Sequence, residues 1–201
     1  MSDQNAAVLE MPLDRLPLDE ERGTMGMFLA ITTEALLFVS MFFAYFYIGH
    51  SHRQWPSHPP ERMLALVMLA VLLSSSAVLQ LGERALKKGA VTHARIWVAL
   101  TIVLGVVFLV IQTFEYRKHL KELLPTTNAY GSLFYTITSL HGLHVAVGLA
   151  MLVYALVVPT MGRRDLPPHR PLHNASLYWH FVDAVWIFIV GLLYLLPHWT
   201  R

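Results

Sequence analysis

Five long stretches of this 201-residue chain contain no Asp, Glu, Lys or Arg: residues 35–52, 63–82, 96–114, 123–162 and 184–200. An α-helix rises about 1.5 Å per residue, so about 20 residues cross the hydrocarbon of a bilayer. Lipid offers no partner to backbone N–H and C=O groups, so a spanning segment must satisfy them internally, as a helix does. The pattern predicts an all-α protein, an integral membrane bundle of five transmembrane helices. The spans fall at about 24–48, 63–81, 96–118, 132–158 and 174–196. Residues 1–22 read as an acidic N-terminal tail and 23–201 as the five-helix membrane domain. Composition agrees: 55% of residues are apolar and 14% charged, against about 45–50% and 25% in soluble proteins. A soluble enzyme, a disordered chain and a nucleic-acid-binding domain are excluded.

The chain has no cysteine, which excludes disulfides, thiolate metal sites, iron–sulfur clusters and Cys nucleophiles. The tail holds six acids and two Arg and no apolar run, so it is not expected to be a cleaved signal peptide. The tail and the 82–95 and 159–173 loops carry nine Lys and Arg, against six in the 49–62 and 117–131 loops and the C-terminus. That bias predicts a cytoplasmic N-terminus and an external C-terminus. Gly23, Trp55-Pro56, Pro59-Pro60, Gly89, Pro125, Gly131, Pro159, Gly162, Pro167, Pro168, Pro171 and Pro197 punctuate the spans. Trp55, Trp97, Tyr130, Tyr178, Tyr194 and Trp199 fall near span ends, where amphipathic aromatics favour the membrane interface.

Several residues do not belong in hydrocarbon. Glu34 lies near the middle of the first span, where an acid costs about 2.5–3.5 kcal/mol to insert. Thr32, Thr33 and Ser40 are near enough to hydrogen-bond it. It reads either as a buried neutral carboxyl that joins helices or holds lipid or water, or as a proton-relay carboxylate. Asp183 and His180 are three apart on the last span and share a face, as a carboxylate–imidazole pair would. His141 and His144 share a face of the fourth span. Two readings stand beside hydrogen bonding between helices: a metal site with His180 as third ligand, or a bis-His haem held by His144 and His180. Gln112 and Glu115 end the third span beside Tyr116, Arg117 and Lys118, a cluster in which a cation would neutralise Glu115. Gly142, Ala146 and Ala150, and likewise His144 and Gly148, repeat every four residues, which lets helix backbones approach closely. Ser74, Ser75 and Ser76 read as packing residues of the same kind.

No Walker A motif, Rossmann glycine pattern, His-Glu-x-x-His or Gly-x-Ser-x-Gly is present. No span is broken mid-way by Gly and Pro, and none carries a ladder of cations. The residues alone therefore describe a five-helix bundle with a few interior acids and histidines, a profile that suits an accessory subunit.

The local strings resemble the haem–copper cytochrome c oxidase subunit III family, in its short five-helix bacterial form. Gly26-Met27-Phe28-Leu29, Thr33-Glu34, Phe38 and Phe42-Phe43-Ala44-Tyr45-Phe46 are similar to the family's Ser-Glu helix, and the Trp55-Pro56 turn follows. Ser74 to Leu79 resembles the next helix. Gly105, Phe108, Gln112 and Glu115-Tyr116 resemble the helix that ends in Gln…Glu-Tyr. Phe134-Tyr135, Thr138, His141-Gly142-Leu143-His144-Val145 and Gly148 resemble the His-Gly-x-His-Val helix. Tyr178-Trp179-His180-Phe181-Val182-Asp183 and Val185-Trp186 resemble the last helix. The likeness runs in unbroken order over about 23–196. Thr138-Ser139-Leu140 replaces the usual Thr-Gly-Phe, Thr33 replaces the usual Ser, and the two extra N-terminal helices of many members are missing.

The resemblance implies a non-catalytic accessory subunit of a proton-pumping respiratory terminal oxidase in the bacterial inner (plasma) membrane, passing electrons from cytochrome c or quinol to dioxygen. It implies oxidase subunits I and II and membrane lipid as partners, with no nucleic acid. It implies haem and copper in those partner subunits, none in this chain, and a bound phospholipid. The subunit would stabilise the catalytic subunit and support proton uptake and lipid and dioxygen access. Glu34 takes the place of the carboxyl attacked by carbodiimides. His141, His144, His180, Asp183, Gln112 and Glu115 then form a structural polar network. A subunit-III-like protein of a nitric oxide reductase, an independent proton or ion transporter and a bis-His membrane cytochrome are the alternatives.

Overall fold

Membrane thickness sets a minimum length for a spanning helix and no maximum, because a helix that leaves lipid keeps its own hydrogen bonds. The computed structural model describes residues 18–50, 62–119, 129–157 and 169–196. Among them are α1 (Leu18–His50), α2 (Arg62–Lys87), α3 (Val91–His119), α4 (Ala129–Val157) and α5 (His169–Ile189), which runs on as a π-helical turn, Val190–Leu195. All five are long and apolar enough to cross a membrane. Each begins before its predicted span. The largest difference is at α1, which starts at Leu18, inside the segment read as a tail. Leu, Glu and Arg are good helix formers, so the charged sequence after Leu18 ends the apolar run without ending the helix.

Two punctuation residues also fall inside helices. Gly131 and Pro171 are the third residues of α4 and α5, not loop residues. Proline is tolerated there because a first-turn N–H has no acceptor within the helix. Gly89 behaves as expected. It alone carries a positive φ, 76°, among the described residues. Its N–H donates to Leu86 and the N–H of Ala90 donates to Ala85, both at 2.9 Å. This pair of bonds closes α2 as a Schellman motif and turns the chain directly into α3. Trp55, Pro56, Pro59, Pro60, Pro125, Pro159, Gly162, Pro167, Pro168, Pro197 and Trp199 lie outside the described residues.

The helix contacts place α5 in the middle. It packs on α1, α2 and α4, while α2 pairs with α3, α3 with α4, and α1 with α4 and α5. In the most apolar window of α5, 56% of residues are buried, against 6% in α1; α1 is therefore a peripheral helix held along one side. The outward residues remain apolar, as lipid requires: Phe28, Leu36, Phe43, Val103, Val110, Phe114 and Phe188 are all exposed. The core is aromatic, with Trp179, Trp186, Tyr130, Tyr194, Phe38, Phe108 and Phe134 among its largest buried side chains. This revises the interfacial reading of Tyr130, Tyr178 and Tyr194, which are all buried in the bundle. Their rings fill space between helices, where packing supplies the attraction that lipid does not.

Candidate functional site

Of the polar residues singled out above, Ser75, Gln112, Glu115, His141, His144 and Asp183 are buried, several of them half-way along their helices. Glu34 is the central residue of the 33 in α1, and Gly105 is the central residue of the 29 in α3. His144, Ser75 and Ser76 lie within two residues of the centres of their helices, as does Asp183 when α5 is counted with its π-helical turn.

Trp179 of α5 organises this level. Its ring is fully buried and is received by two glycines. A Cβ on Gly105 would stand 2.6 Å from the indole, and one on Gly148 would stand 2.9 Å from it. The indole N–H donates to Ser75 Oγ on α2 at 2.9 Å, and Ser75 passes its own proton to the Leu72 carbonyl at 2.7 Å. One side chain thus ties α5 to α2, α3 and α4. Of the expected small-residue repeats, His144 with Gly148 faces inward. Gly142 also packs inward, against the Gln112 amide, whereas Ala146 and Ala150 are exposed. Four-residue spacing drifts around a helix of 3.6 residues per turn, so a stripe of three cannot stay on one contact.

Glu34 and His144 join α1 to α4. Glu34 Oε2 lies 3.0 Å from His144 Nε2, and His144 Nδ1 lies 2.7 Å from the Leu140 carbonyl. A carbonyl only accepts, so Nδ1 carries a proton. Nε2 then either accepts from a carboxylic acid or, as an imidazolium, donates to a carboxylate. In both arrangements one proton lies between the two side chains. Phe38 lies edge-on to His144, with ring centroids 5.0 Å apart. Two expectations change here. The Glu34 side chain is 39% exposed, so it is half-buried; among the described residues nothing covers the outer side of peripheral α1 there. Nor do Thr32, Thr33 and Ser40 serve it. They donate to Phe28, Ala30 and Leu37 carbonyls of their own helix at 2.7–2.8 Å, the nearest acceptors for a hydroxyl in a membrane helix.

Asp183 and His180 share a face of α5 but do not pair directly. Ser76 of α2 stands between them: its hydroxyl contacts Asp183 Oδ2 and lies 2.9 Å from His180 Nδ1. Asp183 is 4% exposed. Read only as packing residues, Ser75 and Ser76 were the functional residues missed in the sequence. The available signal was a run of hydroxyls in one span and a Trp, a His and an Asp in another, each of which needs a partner in a medium that offers none; Ser75 meets the Trp, Ser76 meets the other two, and Ser74 bonds its own helix.

Towards the far end of α3, Gln112 Nε2 donates to the Thr138 carbonyl at 2.8 Å, and the Tyr116 hydroxyl donates to Thr138 Oγ1 at 2.7 Å. Glu115 is 2% exposed and accepts from the Tyr194 hydroxyl at 3.1 Å. Glu115 thus makes an interior contact with Tyr194 of the π-helical turn. Arg117 is exposed, and the side chain of Lys118 lies outside the described residues. His141 has no exposed surface and stacks on Trp186, centroids 4.9 Å apart and planes 23° from parallel. Phe108 meets it edge-on at 5.7 Å. The histidines thus diverge, His144 to α1, His180 to α2 and His141 to the aromatic core. Among the described residues no three His, Asp or Glu side chains converge as metal ligands would.

The cytochrome c oxidase subunit III family matches residues 20–200. The chain belongs to the cytochrome c oxidase subunit III family. Relatives named cytochrome c oxidase subunit 3 agree over most of their length. That of Thermostichus vulcanus is 34% identical over 86% of this chain and 86% of its own. That of Synechocystis sp. is 37% identical over 85% of this chain and 74% of its own. That of Bacillus subtilis is 30% identical over 91% of this chain and 90% of its own. Subunit III is an accessory subunit of a haem–copper oxidase, a respiratory oxidoreductase complex of the membrane, and its five apolar helices here make a multi-pass membrane protein.

Proposed function

We propose that the chain carries no catalytic centre and acts as accessory subunit III of a proton-pumping terminal oxidase in a bacterial plasma membrane. It takes an orientation with the N-terminus in the cytoplasm and the C-terminus outside. Electrons pass from cytochrome c or quinol to dioxygen through haem and copper held by subunits I and II, against which this bundle packs. Its task is to stabilise the catalytic subunit and to support proton uptake and lipid and dioxygen access, with phospholipid bound. Gln112, Glu115 and His141 hold helices together.

The observation that carries this reading is the Glu34–His144 pair. It lies half-way along two membrane-spanning helices, holds one proton between two groups and is half-exposed on a side of α1 that none of the described residues covers. Interior ionisable pairs are costly in lipid and mark proton or lipid contacts. A carboxyl placed so meets a lipid or a neighbouring subunit.

The test is purification through a tag on this chain, followed by a haem spectrum, partner masses and gas consumption. Haem–copper partners with dioxygen uptake are expected. Glu34→Gln should leave assembly, haem content and initial rate intact and shorten the active lifetime during turnover. Unchanged kinetics over many turnovers would defeat the role given to Glu34, and nitric oxide uptake in place of dioxygen would move the chain to a reductase.

A further inference from the structure

From the midplane of the bundle a file of polar groups leads to one end. Asp183 contacts the Ser76 hydroxyl, which lies 2.9 Å from His180 Nδ1. His180 is partly exposed, and Glu83 lies seven residues beyond Ser76 on α2. His173 stands seven residues before His180 on α5, with Nδ1 3.7 Å from Glu83 Oε1 and half its side chain exposed. Seven residues are two turns, about 10 Å along each helix axis. The two antiparallel helices therefore repeat the same order of groups from opposite directions. Glu83 and His173, with Leu86, Lys87 and Leu172, line a pocket of about 510 Å³ at this end.

We infer that Asp183 is an interior proton-binding site that exchanges with water towards the pocket between α2 and α5 through Ser76 and His180. Outward, the proton on Asp183 Oδ2 passes to Ser76 Oγ, the Ser76 proton passes to His180 Nδ1, and His180 Nε2 releases its proton to water on the partly exposed side of the ring, two turns short of the pocket. One proton leaves, Asp183 becomes a carboxylate, Ser76 is again a hydroxyl, and His180 has changed from its Nε2–H to its Nδ1–H tautomer. Inward transfer is the same series reversed, so no ring flip is needed. Ser76 has one proton to give and lone pairs to accept, so it works in either direction. Glu83, Lys87 and His173 are the ionisable groups that line the pocket, and among the described residues Ser76 and His180 connect Asp183 towards it. Among the described residues the other Asp183 oxygen, also buried, has no hydrogen-bond partner, so the described route ends at Asp183, and a site with one route stores a proton. This role differs from that of Glu34, which lies on α1 and pairs with α4, and it does not depend on the oxidase reading.

The test is infrared spectroscopy of the complex purified through this chain, transferred from H₂O to D₂O. Asp183→Asn assigns the Asp183 carboxylic acid band, and the rate at which that band shifts in the parent is the exchange rate. Ser76→Ala should slow the shift about tenfold or more, because exchange then waits for local opening of the bundle. Ser76→Thr, which keeps the hydroxyl, should restore it. His180→Gln provides the same test should Ser76→Ala fail to fold. The inference is overturned if no exchangeable carboxyl band is lost in Asp183→Asn, or if neither Ser76→Ala nor His180→Gln slows the shift. Because no oxidase activity is read, a failure here is separate from a failure of the proposed function.

Discussion

Glu34 and His144 meet at the centre of two helices, Oε2 to Nε2 at 3.0 Å, and the Leu140 carbonyl decides which imidazole nitrogen faces the acid. The two partners are not equivalent. Gln at position 34 keeps an amide that can donate to Nε2, whereas Phe at position 144 removes the imidazole that pairs with the carboxyl. An interior polar group left unpaired costs about 1–3 kcal/mol. His144→Phe should therefore destabilise the protein by about 1–3 kcal/mol, and Glu34→Gln by less than about 1 kcal/mol. Thermal unfolding in detergent checks the order; equal losses would show that the pair is not held as described.

The Trp179 ring has no freedom to retreat from Gly105 or Gly148. A methyl at either would come within 2.9 Å of it or closer. Overpacking of this kind costs about 1–3 kcal/mol. Gly105→Ala and Gly148→Ala should each lower thermal stability by that amount. Gly26→Ala, whose Cβ would meet nothing within 4 Å, should be neutral or gain a few tenths of a kcal/mol from helix propensity. The contrast between the three variants measures the wedge rather than the general effect of adding a methyl.

Gly142 and Gln112 are coupled. A Cβ at 142 would stand 2.8 Å from Gln112 Oε1, the far end of a side chain whose Nε2 is held by the Thr138 carbonyl. Gly142→Ala should cost about 1–2 kcal/mol in the parent and less than half of that in a Gln112→Ala background, where the obstructing amide is gone. Strict additivity in the double-mutant cycle would exclude the contact.

The absence of cysteine makes the orientation directly measurable. Lys88 is exposed in the turn between α2 and α3, and Lys88→Cys would be the one thiol in the chain. A membrane-impermeant maleimide should label it in inverted vesicles and leave it unlabelled in intact spheroplasts. Labelling in spheroplasts would reverse the assigned topology.

Sequence reasoning reached the helices because each is a composition statement: a run of about 20 apolar residues has few other fates in lipid. It was less successful at boundaries. Gly131 and Pro171 are loop signals by statistics, yet the first turn of a helix tolerates both. It reached contacts between helices for Glu34 and His144 as a class, without the partner in each. Thr33 is adjacent to Glu34 and bonds its own backbone, while His144, 110 positions away, supplies the contact. His180 and Asp183 share a face, but the hydroxyl that joins them comes from α2.

The amino-acid sequence by itself determined that the chain spans a membrane five times, which residues are out of place in lipid, and which family's strings it resembles. These follow from transfer free energies and local order, which each segment carries alone. Only the tertiary structure decided that α5 is central and α1 peripheral, that Glu34 is half-open rather than enclosed, and that Ser76 connects Asp183 to His180. Those depend on which helix faces which, and in lipid that choice is made by small residues, wedged rings and single hydrogen bonds.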